Sequence, residues 1–121
     1  MHLSITQIML ADAPVERRRG DELIEQHVHA RLHFQISASP TKRAAEQPTC
    51  FVQLLAYELS TGRTVVLATD RQQLRSDQVE YTASLTFAMP QAGRYQLAGM
   101  VLIPEAGALE VAFGPALRVM P

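Results

Sequence analysis

The chain has 121 residues, with 11 basic against 12 acidic side chains and a formal net charge of −1 at pH 7. That length suits a single domain, residues 1–121, with a core large enough to stand without staples, and the balanced charge offers no field to draw nucleic acid or an anionic membrane. The lone Cys50 forbids an internal disulfide, the Met-His-Leu-Ser-Ile start is unlike a signal peptide, and no apolar run reaches the roughly 18 residues of a membrane-spanning helix; the expectation is a cytoplasmic protein without nucleic-acid or membrane partners.

His2 to Ala11 is a first strand candidate, with Leu3, Ile5 and Met9 on one phase and Ile8 and Leu10 on the other. Asp12 to Asp21 carries proline, glycine and charge and reads as a solvated connection. From Val28 the alternation is regular: Val28, Ala30, Leu32, Phe34 and Ile36 share one face, while His27, His29, Arg31, His33 and Gln35 share the other. Ser37 to Thr49 holds two prolines and small polar residues, the pattern of a long loop.

Cys50 to Leu59 is apolar on both phases, Ser60-Thr61-Gly62-Arg63 is a hairpin turn, and Thr64 to Thr69 is a β-branched return strand. Asp70 to Gln78 is polar, with room for one helical turn. Val79, Tyr81, Ala83, Leu85, Phe87 and Met89 then alternate with polar residues as a half-exposed strand. Arg94 to Ile103 and Leu109 to Met120 form a final pair joined across Pro104 to Gly107, and Gly114-Pro115 marks a bulge or bend, because proline cannot donate to a central ladder. Seven strands and almost no helix are expected.

Between the last two turns the chain reads Pro90-Gln-Ala-Gly93-Arg-Tyr95-Gln-Leu97. Gly93 can supply the positive φ of a tight reversal, and a tyrosine just beyond it can bury its ring while its hydroxyl reaches backbone a few residues upstream. With the Ser60 to Arg63 hairpin and the seven short strands, this stretch resembles an immunoglobulin-like or fibronectin-type-III-like antiparallel β-sandwich. The antibody subclass is not matched: Leu97 stands where its second cysteine would, and the chain has no tryptophan. The resemblance implies binding in general and no partner in particular.

His27, His29 and His33 share a strand face, and imidazoles two residues apart are a usual component of metal sites. Glu80 would supply a further ligand only if its strand paired in register, and Arg31 would repel a cation. Cys50 lies in an apolar run where a thiol is inert. The carboxylates Asp21, Glu22 and Glu25 belong to a charged strand entry, and the basic run Arg17-Arg18-Arg19 is outnumbered by its acidic neighbours. No glycine-rich phosphate loop is present, so a nucleotide enzyme is not expected; the chain reads as a non-catalytic protein without a cofactor, with a small metal-binding protein or metal-dependent enzyme built on His27, His29 and His33 as the alternative.

The feature above background is double-sided hydrophobicity. Phe51, Leu55 and Tyr57 on one strand, and Ala98, Met100 and Leu102 on another, are apolar although the opposite phase of each strand is apolar too. In an immunoglobulin-like topology those strands are neighbours, and their outer residues would merge either into an interface for a protein partner or for self-association as a homodimer, or into a face covered by the Ser37 to Thr49 loop, the first strand or the 70s segment.

Overall fold

The strict alternation from Val28 to Ile36 is the seam around which the domain is built, since it gives one strand an apolar face for a facing sheet and a polar face for water. The computed structural model describes residues 2–10, 15–19, 22–37, 48–75, 77–88 and 91–119, with 15–19 and 22–26 described by backbone alone. Within them lie β1 (Leu3–Leu10), β2 (Val15–Arg19), β3 (Glu22–Ile36), β4 (Thr49–Glu58), β5 (Thr64–Gln73), β6 (Glu80–Ala88), β7 (Gly93–Ile103) and β8 (Ala108–Val119). All pairings are antiparallel, and the strands divide into two four-stranded sheets that make an all-β sandwich, as expected.

In the first sheet β6 lines one side of β3, while β1 and β2 share the other, β1 beside residues 30–36 and β2 beside residues 22–27. The second sheet runs β5-β4-β7-β8. The chain crosses between sheets at β3 to β4, β5 to β6 and β6 to β7. Val28, Leu32 and Phe34 from the first sheet face Val52, Leu54, Leu97 and Val101 from the second, all essentially without solvent exposure. Among the described residues no helix is long and apolar enough to cross a membrane.

The seven expected strands are present, with four corrections. The solvated connection expected over 12–21 contains a strand, β2, whose partner is an N-terminal extension of β3 beginning at Glu22 rather than at Val28. Apolar periodicity could not reveal it, because Val-Glu-Arg-Arg-Arg has none. The first part of the polar stretch 70–78, allowed one helical turn, is instead strand: β5 continues to Gln73, and Leu74 is fully buried with its N–H donated to Pro48 O at 2.9 Å. In β1 the register slips between Ile5 and Gln7. That bulge reverses the phase, so Leu3 and Ile5 pack inward before it and Ile8 and Leu10 after it, instead of Leu3, Ile5 and Met9 together. Finally, Val79 precedes β6 and is exposed. Most of the expected Ser37 to Thr49 loop (38–47) and Met89-Pro90 lie outside the described residues.

The corner chemistry is as the sequence implies. Gly93 has φ +157°, and the Tyr95 hydroxyl donates to Gln91 O at 2.6 Å from a buried ring. Gly62 and Gly107 adopt left-handed φ values of 73° and 61° in the β4–β5 and β7–β8 turns. At Gly114-Pro115 the β7–β8 register slips, and Gln96 Nε2 donates to Gly114 O at 2.7 Å, satisfying a carbonyl the bulge frees from the ladder. Tyr81 provides a second anchor: its ring stacks on Phe34 at 5.2 Å, and its hydroxyl accepts from the Arg75 N–H at 3.0 Å and lies 3.1 Å from the Arg75 and Gln78 carbonyls.

Candidate functional site

Strands β4 and β7 pair directly, with Phe51 opposite Leu102, Gln53 opposite Met100, Leu55 opposite Ala98 and Tyr57 opposite Gln96. Because side chains alternate and Cys50, Val52, Leu54 and Ala56 are completely buried, the odd phase of β4 points away from the core. The same logic applies to β7, where Tyr95, Leu97, Val101 and Ile103 are buried and Ala98, Met100 and Leu102 are half-buried on the far side. All six interface candidates, Phe51, Leu55, Tyr57, Ala98, Met100 and Leu102, therefore lie together on the outer face of the second sheet.

The register adds residues that strand-by-strand reading missed. On β8, Leu109 stands opposite Leu102, Val111 opposite Met100 and Phe113 opposite Ala98, and on β5 Val66 stands opposite Leu55. Each continues an apolar row across the sheet. These are the most open members: Phe113 is 81% exposed, Leu109 57%, Val111 and Val66 52%, against 45% for Tyr57 and 38% for Phe51. At roughly 150–200 Å² for a fully exposed side chain of this size, the six leave on the order of 600 Å² of apolar surface open. That is the top of the range for the largest patch on an ordinary monomer. Periodicity showed that Leu109 to Met120 was a strand; only its pairing with β7 shows which face its apolar residues join.

The outer face of the first sheet is different in kind. His27, His29 and His33 do share it, opposite Ala88, Thr86 and Thr82 of β6. His29 Nδ1 is hydrogen-bonded to Thr86 Oγ1 at 2.9 Å and His33 Nδ1 to Thr82 Oγ1 at 2.8 Å, so two of the imidazoles are engaged in cross-strand pairs of the sort that stabilise sheets. Glu80 pairs with Gln35, beyond His33 and remote in register from His27 and His29, and so does not supply the further ligand. Among the described residues no group of three histidine, cysteine or acidic side chains is placed to hold a metal ion. An open depression over Thr6, His33 and Thr82, beside the β1 bulge, is lined chiefly by polar side chains.

Cys50 is buried at the start of β4, and desolvation, with a smaller contribution from the Asp70 carboxylate, pushes its thiol up from 9.0 to about 12. A thiol held neutral in this way is a core residue and a poor nucleophile. The outer faces thus present one polar, hydrogen-bonded surface and one apolar surface, and only the second exposes groups whose desolvation would release free energy. Comparison with protein-family profiles, with curated proteins and with solved structures finds no match.

Proposed function

We propose that the domain is a non-catalytic interaction module of immunoglobulin-like, fibronectin-type-III-like build, which binds a protein surface through the outer face of β4, β7 and β8. The observation that carries this reading is the unbroken apolar band from Phe51 through Leu102 to Leu109, and from Leu55 through Ala98 to Phe113, on a sheet whose opposite face already forms the core. The three crossings between sheets and the buried Tyr95 corner support the immunoglobulin-like assignment. Its mechanism is apolar desolvation, with Phe113 and Phe51 as aromatic anchors; the open surface approaches the roughly 800 Å² per partner of a specific complex once half-buried Met100, Leu55 and Leu102 are included.

The reading is tested on dilute protein with an apolar fluorescent dye. The wild type should bind it in the native state, and Val111→Thr together with Phe113→Thr, which remove apolar bulk without adding charge, should abolish most of the signal at an unchanged melting temperature. Absence of dye binding by folded wild type diluted to the monomer, or a large drop in the melting temperature of the double variant, would place this face under cover of the chain itself and remove the proposal.

A further inference from the structure

We infer that the occupant of this face is a second copy of the chain, laid on it by a two-fold axis that runs across the strands at the level of Ala98 and Phe113, so that β7 and β8 of one copy lie antiparallel over β7 and β8 of the other. The inference rests on the interaction reading above and adds to it the identity and orientation of the partner. Two observations carry it.

The first is area and shape. The face has open apolar area approaching what one side of a standard interface requires, and two sheets already stack face to face in the interior of this domain. An isologous contact needs one patch that complements itself, which an apolar sheet face without charged side chains at its centre can supply. Ala98, beside Phe113 in the same row, leaves a low point next to the most exposed side chain of the face, so that two phenyl rings can meet in an offset arrangement at the axis.

The second is charge. Arg94 and Arg118 stand opposite one another at one end of the β7–β8 ladder, both exposed and without an ion pair among the described residues, while exposed Glu105 lies in the turn Pro104–Ala106 that joins the same two strands at the other end. A parallel stacking would bring four guanidinium groups together. The antiparallel stacking brings the arginine end of each copy to the Glu105 turn of the other, twice by symmetry.

Light scattering over a concentration series on the full chain tests this. The wild-type mass should rise toward that of a dimer, Glu105→Arg and Arg118→Glu should each weaken association roughly tenfold by turning two rim attractions into repulsions, and an equimolar mixture of the two variants should recover wild-type association. A wild type that stays monomeric at its highest soluble concentration overturns the second copy as occupant and leaves the interaction reading to the dye measurement. A dimer lost in Phe113→Asp but indifferent to both charge reversals, or not rescued by mixing, overturns the antiparallel arrangement while the face stands. A dimer untouched by Phe113→Asp overturns both.

Discussion

Gly99→Ala should destabilise the domain by about 1–3 kcal/mol, the usual cost of forcing an extra carbon into a filled core. Propensity alone argues the other way, because replacing a glycine inside a strand by alanine ordinarily gains roughly 0.5–1 kcal/mol. Packing decides the sign. Gly99 sits on the inner face of β7, where an added Cβ would overlap Leu32 Cδ1 of β3 and stand 2.7 Å from Ile8 Cδ1 of β1. A Cβ at Gly114 on β8 would similarly meet Ile8 Cγ2 at 2.9 Å, so one isoleucine side chain fills the space above two glycines where β1 closes against the second sheet. Urea denaturation of Gly99→Ala alone and combined with Leu32→Val checks the cause: the second change should return part of the lost stability, and a Gly99→Ala protein as stable as the wild type would contradict the packing described.

A comparable effect is expected at high pH from Cys50. Its folded-state pKa is raised from 9.0 to about 12, first by burial and second by Asp70. Below pH 9 the thiol is neutral whether the chain is folded or not, and the native state keeps its full advantage. Between pH 9 and 12 the unfolded chain releases the proton while the native state holds it, so stability falls as pH rises; at about 1.4 kcal/mol per unit the loss attributable to this one group reaches on the order of 2–4 kcal/mol. Denaturation midpoints at pH 8.5 and pH 11.5 should converge between the wild type and Cys50→Ala, whose lower starting stability lacks this slope. Parallel losses in the two proteins would mean that the thiolate is tolerated where it sits.

Much of the architecture was legible in the chain because its strands are half-buried and alternate. The β3 face from Val28 to Ile36, the phase of β6, the Ser60 to Arg63 hairpin, the Tyr95 corner and the irregularity at Gly114-Pro115 follow from side-chain period and turn chemistry, and those are local quantities. What escaped has no local signature. The bulge in β1 that swaps Ile8 for Met9 on the inner face depends on how β1 meets β3; β2 is recognised by its backbone register with β3; Leu74 is buried where its N–H bonds Pro48 O across the chain. The same division runs through the site. Double-sided hydrophobicity identified Phe51, Met100 and their neighbours, whereas the phase of β4 and the contribution of Leu109, Val111 and Phe113 required the pairing of β7 with β8. Whether Glu80 could join the histidines was likewise a question of register, answered by its pairing with Gln35.

The central claim is that the outer face of the second sheet is a surface for binding and is not part of the core. Met100 lies at its middle, between Gln53 of β4 and Val111 of β8, so the paired measurement of melting temperature and solution mass on Met100→Glu tests it most directly. A carboxylate there remains hydrated in the monomer but must be desolvated in any complex formed on the face. The predicted result is a melting temperature of the dilute protein within a few degrees of the wild type together with loss of association; an unfolded or strongly destabilised Met100→Glu protein, or a well-folded one that associates as the wild type does, would contradict it.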